Sequence, residues 1–253
     1  MTLYVILMFL LVAGGTILDM LHKKSARYFF ENAEKAKKNA TRTVSSAEKT
    51  SLIVKTITNE VLTSSEFSNQ KRRMSHLMTM YGFIVFVVTT AIMVFSQTDS
   101  GFIALLWHLG ALSLAAGGYW FWFGIRVDLT AEAKPWYKLA QSDLFIVSLL
   151  GTSTFALLWS ITGATLFFVI FIIFSTVLFG GVMLSKFSHM FFKPAAAFQK
   201  RVTKADGSRE GLPTDFDLTS AEVQAKFPDI PEYMGKNPEN MGLGIKREAP
   251  RHY

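Results

Sequence analysis

Histidine is the residue type in this chain whose chemistry depends most on its place in the sequence. Two of the five histidines, His76 and His189, each lie where a long apolar run meets a group of basic residues. Two neutral imidazoles from different helices, at one depth in a helical bundle, can ligate the iron of a b-type haem from its two sides. Histidines at such a boundary also hydrogen-bond to lipid headgroups or neighbouring carbonyls. Position alone leaves both interpretations open.

The remaining histidines have different surroundings. His108 lies within an apolar run next to Trp107, about one and a half turns from its beginning. An ionisable side chain inside a membrane segment is often functional. His22 ends the first apolar run in a more hydrated basic stretch, and His252 belongs to the polar C-terminal tail.

The elements that must position these residues are apolar runs long enough to cross the ~30 Å hydrocarbon core of a bilayer as helices. Half of the residues are hydrophobic and the mean hydropathy is positive, which is unusual for a soluble domain of this length. The sequence therefore predicts an all-α integral membrane bundle of five transmembrane helices, at residues 3–21, 76–95, 102–125, 143–161 and 164–184. Asp143 is expected to cap the N-terminus of the fourth helix.

The domain organisation follows from these runs. Residues 1–21 are predicted as transmembrane helix 1, retained in the protein, because no basic n-region or small-residue cleavage site marks a signal peptide. Residues 22–75 form a basic connector, 76–192 hold transmembrane helices 2–5, and 193–253 form a polar tail.

The distribution of charge predicts the orientation. The net charge is +7, and the basic residues gather in the connectors 22–75 and 126–142 and in the tail, whereas 97–101 and 162–163 carry none. The positive-inside rule then puts the N-terminus outside and the tail in the cytoplasm. This pattern explains the basic charge without nucleic acid as a partner.

The chain has no cysteine, which excludes disulfides, cysteine-ligated zinc and a thiol nucleophile.

The two polar regions are predicted to make contacts of their own. In the connector, apolar residues recur at helical spacing, which predicts one or two amphipathic helices on the membrane face, in contact with lipid headgroups: Leu52, Ile53, Ile57, Val61 and Leu62. The part of the tail from Gly211 to Tyr253 is rich in proline and glycine but keeps scattered apolar anchors, which favours an extended arm that folds over a soluble partner; a disordered end is the alternative.

Two motifs carry the predicted boundary histidines. The first is the segment 56–83, which includes His76-Leu-Met-Thr-Met-Tyr-Gly-Phe83, and the second is Ser185-Lys-Phe-Ser-His189-Met-Phe-Phe-Lys-Pro194. Together they resemble the respiratory nitrate reductase gamma-subunit family of five-helix cytochrome b membrane anchors. The resemblance covers roughly residues 50–195. It implies that His76 and His189 are the two axial ligands of one haem b, near the cytoplasmic side.

The resemblance has one departure and several functional implications. Two-haem members carry a second histidine pair further into the same helices, and this chain lacks it, so one haem is expected. His108 is then interpreted as packed near Trp107 or as lining a quinone pocket.

The implied function is a membrane anchor and electron-transfer subunit in a prokaryotic cytoplasmic membrane. It would link a cytoplasmic oxidoreductase, of which adenylylsulfate reductase is a candidate, to the quinone pool. A haem-free structural anchor is the alternative, and a small transporter is disfavoured because no run has a charged centre.

Overall fold

The computed structural model consists of helices and short connections, with no strand in the residues that it describes. Those residues are 1–22, 24–65, 67, 69–128, 133–182, 189–212 and 220–226, without the side chains of 24–28, 189–192 and 224. The helices are numbered in chain order as α1 Thr2–His22, α2 Lys24–Asn39, α3 Ser46–Thr56, α4 Gln70–Ser96, α5 Gly101–Trp120, α6 Leu144–Thr162, α7 Thr165–Gly180, α8 His189–Ala205 and α9 Ala221–Lys226. π-helical turns, Ile57–Leu62 and Phe121–Ile125, extend α3 and α5.

Four of these segments are long and apolar enough to cross a membrane, which confirms the predicted all-α, multi-pass membrane character. They are Thr2–His22, Gln70–Ser96, Gly101–Ile125 and Gln141–Thr162. The fifth predicted span corresponds to α7, which has 16 residues. At a rise of ~1.5 Å per residue, α7 is about 24 Å long, shorter than the hydrocarbon core. The predicted end of this span, at Leu184, lies outside the described residues, and the five-span arrangement stays a prediction.

Helices α4 and α5 form an antiparallel pair in which the two backbones touch. A Cβ atom at Gly82 would lie 2.5 Å from the amide nitrogen of Leu114, and one at Gly110 would lie 2.7 Å from that of Phe86. Small residues permit such close approach between membrane helices. Ser75 adds an interhelical hydrogen bond, because its hydroxyl donates to the Gly117 carbonyl at 2.9 Å.

The bundle continues through α6 and α7 and returns to α4. Helix α6 packs on α5 and forms a second antiparallel pair with α7, while α1 lies along α7 and α4. Helices α4 and α7 meet through phenylalanine rings, with centroids 6.2 Å apart for Phe83–Phe179 and 6.4 Å for Phe86–Phe171. Aromatic side chains therefore fill the space between these two helices, whereas α4 and α5 meet backbone to backbone.

The polar helices α2, α3 and α8 pack together beside the bundle. Ser45 caps the start of helix α3, because its hydroxyl accepts a hydrogen bond from the Glu48 amide. The hydrogen bond from Arg42 to the carboxylate lowers the pKa of Glu48. Helices α2 and α3 confirm the helical character predicted for the connector, although α3 also packs against α8.

The first part of the predicted tail, ahead of the extended arm expected from Gly211 onward, is largely helical. Helix α8 begins at His189, so the predicted boundary between residues 192 and 193 falls inside a helix. Its sequence is rich in alanine and lysine, which favour helix. Arg201 bonds to Glu60 at 2.6 Å, and the amide and hydroxyl of Thr41 both donate to the Asp206 carbonyl. Beyond α9 the tail lies outside the described residues.

Asp143 does not cap α6 as expected. It lies in a 3₁₀ turn, Gln141–Asp143, and its side chain makes no capping bond to α6. Its carboxylate instead accepts hydrogen bonds from the Arg126 guanidinium at 2.6 Å and from the Ala140 amide at 2.9 Å. A buried arginine attracts the carboxylate more strongly than helical amides do, because the charged pair must be satisfied inside the fold.

Candidate functional site

The basic end of α4 is fixed by contacts with the chain that precedes it. The side chain of Asn69 accepts hydrogen bonds from the amides of Lys71 and Arg72 and so caps the helix. Arg73 donates through Nε to the Thr63 carbonyl at 2.7 Å, and the Tyr81 hydroxyl donates to the Leu62 carbonyl at 2.7 Å. The segment that follows α3 is thereby held along the first three turns of α4, where His76 lies.

The side chain of His76 is exposed and lies against an aromatic ring. The centroids of the His76 and Phe67 rings are 5.0 Å apart, at an interplanar angle of 61°. Two cations approach the same Phe67 ring: the Arg72 guanidinium carbon at 5.8 Å and the Lys193 ammonium nitrogen at 5.7 Å from its centroid. Phe67 thus brings the start of α4 and the start of α8 together.

His189 is the first residue of α8, and its side chain lies outside the described part of the chain, as does the preceding Ser185-Lys-Phe-Ser188 part of the motif. The elements on each side of it are nevertheless placed. Phe179, ten residues before His189, contacts Phe83 of α4, and Lys193, four residues after it, contacts Phe67. The structure therefore brings the beginning and the end of the α7–α8 connection to α4 near His76, without showing the two imidazoles together.

The residues present fit a bis-histidine haem in part. His76 offers one imidazole nitrogen beside an aromatic ring in the second turn of α4, and further along the bundle the rings of Phe83 and Phe179 lie between α4 and α7. The interface of α4 and α5 offers no such space, because a Cβ at Gly117 would already lie 2.8 Å from the Thr79 amide. Within the described ranges no three histidine, cysteine, aspartate or glutamate side chains are grouped as for a metal ion.

His108 is held by two hydrogen bonds between α5 and α6. Nδ1 lies 2.6 Å from the Ala104 carbonyl oxygen, and Nε2 lies 2.5 Å from Oγ of Ser160. Because a carbonyl oxygen only accepts, Nδ1 carries the proton, and in the neutral ring Nε2 accepts from the Ser160 hydroxyl. The edge of His108 also packs on Trp107. Both expectations for His108, packing near Trp107 and facing a pocket, are compatible with this placement.

A cavity of about 530 Å³ opens beside this histidine. His108, Ser160 and Thr90 contribute its polar side-chain atoms, and the remainder of the lining is mainly aromatic and aliphatic, as in Trp107, Trp159 and Phe168. The Trp107 indole donates to the Thr90 hydroxyl at 2.9 Å, which fixes one wall. Pockets of this size with few polar groups are typical of sites for small apolar ligands.

A second cavity, of about 460 Å³, adjoins the first. It lies among α1, α4 and α7 and is lined almost entirely by apolar side chains. Met1, Thr90 and Phe171 line both cavities. The cavity beside His108 lies toward the end of the bundle where α1 begins and α4 ends, whereas the second cavity extends along α4 to Phe83 and along α7 to Phe179.

The other histidines have separate positions. His22 is exposed at the end of α1 and its Nδ1 donates to the Leu18 carbonyl at 2.9 Å, and His252 lies outside the described residues.

Sequence reasoning missed Phe67, Lys193 and Ser160, each of which contacts a predicted site or its neighbour. Lys193 had a signal, since it lies one helical turn after His189, whereas the contacts of Ser160 and Phe67 required tertiary structure.

No family model matches this chain, and the searches of curated proteins and of solved structures found no similar protein.

Proposed function

We propose that this protein is a membrane anchor and electron-transfer subunit of a respiratory or sulfur-metabolism oxidoreductase. In this role it lies in a prokaryotic cytoplasmic membrane, with its N-terminus outside, and links a cytoplasmic catalytic partner to the quinone pool through one haem b. The observation that supports the proposal best is the cavity of about 530 Å³ beside the His108–Ser160 pair, within a bundle that has His76 at its opposite end.

At the basic end, His76 and His189 would be the axial ligands. His76 is supported by its place on α4 beside Phe67, and His189 by the contacts of Phe179 and Lys193 on each side of it. The haem, when bound, supplies a one-electron carrier. The protein would supply the ligands, with Phe67 beside His76, and would orient them through the elements on each side of the α7–α8 connection.

At the other end, the His108 cavity suits a quinone ring. Its aromatic walls can cover the ring, and the Ser160 hydroxyl and His108 imidazole can exchange hydrogen bonds with a ring oxygen. Because the Ala104 carbonyl holds the Nδ1 proton, Nε2 remains the position at which His108 takes up or releases a proton. The neighbouring apolar cavity offers room for a hydrocarbon tail.

The partner surface would be formed by the polar helices. Helices α2 and α8 and the end of α3 carry many lysine and arginine side chains, and α8 is held to the end of α3 by the Glu60–Arg201 pair. A basic surface attracts an acidic partner and steers its approach. From the sequence, residues 193–253 are proposed to take part in the same partner contact, and adenylylsulfate reductase is the candidate partner that the sequence resemblance names.

A haem-free structural anchor for the same kind of partner is the second candidate. It is favoured by the packing of α2, α3 and α8, which is held by direct contacts such as Glu60–Arg201 and Thr41–Asp206 and needs no cofactor. In this case the histidines at the boundary would serve only hydrogen bonding and packing.

The optical spectrum of the purified, full-length protein separates these two candidates. An electron-transfer subunit should show one b-type spectrum with about one haem per chain, and His76→Ala and His189→Ala should each abolish it, because loss of one axial nitrogen weakens retention of the haem. His22→Ala is the matched control at the same boundary and should keep the spectrum. A correctly inserted, partner-bound protein without haem would reject electron transfer and leave the structural anchor.

A further inference from the structure

The apolar cavity of about 460 Å³ among α1, α4 and α7 is elongated along the bundle. Its lining extends on α4 from Phe83 to Phe95 and on α7 from Phe171 to Phe179, and the first half of α1 forms a further wall. At a rise of ~1.5 Å per residue, the two stretches are about 18 Å and about 12 Å long. A cavity of this shape fits an extended hydrocarbon chain better than a compact ligand. We call it the α1 slot.

The α1 slot meets the cavity of about 530 Å³ at shared side chains. Thr90 and Phe171 line both cavities. The Thr90 hydroxyl accepts a hydrogen bond from the Trp107 indole at 2.9 Å, and the Phe171 ring stacks on Trp159 with centroids 6.3 Å apart. Because these contacts fix the junction, the two cavities are placed to hold two parts of one molecule.

Polar groups that a ligand can use are concentrated in the first cavity. His108 and Ser160 present a ring nitrogen and a hydroxyl there. The α1 slot has only the hydroxyls of Tyr4, Thr90 and Ser175 among its described lining, and that of Tyr4 already donates to a carbonyl of α7 at 3.2 Å. A ligand that fills both cavities therefore has its polar part beside His108 and an apolar part in the slot.

The charge of the lining selects between the two kinds of membrane molecule with such a shape. Neither lysine nor arginine is among the described residues that line the two cavities. A phospholipid carries a phosphate, for which charged donors are the strong partners, whereas a quinone ring is neutral and accepts hydrogen bonds through its oxygens. Membrane quinones also carry a linear isoprenoid tail. The quinone therefore matches both cavities.

We propose that the α1 slot binds the isoprenoid tail of a quinone whose ring lies beside His108. This inference rests on the proposed function, which includes the ring site, and it adds the orientation of the ligand. The tail runs along α4 from Phe95 toward Phe83, and Val87 and Ala91 on the α4 wall limit the space for it. The ligand class is thus a quinone with a long tail.

Photolabelling locates the tail and does not require haem. The full-length protein in phosphatidylcholine vesicles is irradiated with a quinone that carries a diazirine at the end of a decyl tail, and labelled residues are identified by mass spectrometry. The second probe is phosphatidylcholine with a diazirine at the end of one acyl chain. Binding of the ring alone is measured with a tail-less quinone, which quenches the fluorescence of Trp107 and Trp159 in the first cavity.

Val87→Phe fills the slot, and Val88→Phe is the matched control, because Val88 is half exposed and lines neither cavity. The tailed quinone should label slot residues in the wild type and in Val88→Phe. Labelling should fall about tenfold in Val87→Phe, since the added ring occupies the place of the tail. Ala91→Leu, a smaller addition to the same wall, should lower it as well. The tail-less quinone should bind all four proteins equally, which also shows that they are folded.

Each contrary result identifies what is wrong. If the tail-less quinone binds but the tailed quinone labels only lipid-facing residues, or if Val87→Phe behaves as Val88→Phe does, the inference fails and the quinone site stands. If the phospholipid probe labels the slot and excess quinone does not displace it, the slot holds an acyl chain and the inference is wrong. If the tail-less quinone does not bind the wild type, the quinone site of the proposed function fails first.

Discussion

The buried ion pair between Arg126 and Asp143 gives the prediction whose size follows most directly from the structure. Arg126 is fully buried, and its guanidinium donates to the carbonyls of Pro135 and Lys138 and to the Asp143 carboxylate, each at 2.6 Å. The guanidinium carbon also lies 4.2 Å from the Trp122 ring centroid. These contacts join the two ends of the connection between α5 and α6. Removal of the Asp143 carboxylate therefore leaves the charged Arg126 guanidinium inside the fold without its counter-ion.

Asp143→Ala should therefore destabilise the protein strongly. Breaking a buried ion pair by removal of one partner costs about 3–5 kcal/mol. The Asp143 side chain retains 11% exposure, so the lower end of that range applies. About 3 kcal/mol corresponds to a fall in Tm of roughly 6–12 °C for a protein of this size.

The assay is thermal unfolding of the purified protein in a mild detergent, followed by tryptophan fluorescence. Lys138→Gln is the matched control, because the backbone carbonyl of Lys138, and not its ammonium group, contacts Arg126. The double variant Arg126→Met/Asp143→Leu should recover much of the lost stability, since apolar replacement removes both charges together. An Asp143→Ala protein as stable as Lys138→Gln would refute the reasoning.

Three further predictions concern packing, topology and the tail. Gly82→Ala should lower Tm by several degrees because its Cβ would meet the α5 backbone, whereas Gly14→Ala, which has open space, should leave Tm unchanged; thermal unfolding checks both. Reporter fusions after Gly101 should report outside and those after Leu139 inside, and a cytoplasmic signal at Gly101 would overturn the orientation. Removal of 211–253 should preserve membrane insertion and release the soluble partner, whereas unchanged co-purification would leave these residues without a binding role.

The long helices could be predicted from the sequence because hydropathy alone specifies them. Helix α4 contains the predicted run 76–95 and extends back to Gln70, since Asn69 supplies its cap. The basic triplet at 71–73 therefore belongs to the first turn of the helix rather than to a loop before it. Polar residues at a helix end carry no hydropathy signal, so the boundary was less predictable than the run itself.

Contacts between distant residues could not be predicted in the same way. Asp143 has the sequence context of a cap, and its pairing with Arg126 depends on the path of the connection between α5 and α6. Helix α8 was not predicted, because its apolar residues recur with only moderate regularity. Its helical structure depends on packing against α2 and α3. His76, predicted to open the second span, lies in the second turn of α4, whereas its neighbour Phe67 became visible only in three dimensions.

The central claim is that electrons pass between quinone and a haem held by this chain. The most direct measurement mixes the haem-containing, full-length protein in lipid vesicles with a short-chain quinol and follows the reduced b-type absorbance in a stopped-flow instrument. The account predicts rapid reduction in the wild type, and slower reduction in His108→Ala with an unchanged haem content. A protein that binds haem but is not reduced by quinol, or one that holds no haem while properly inserted, would contradict it.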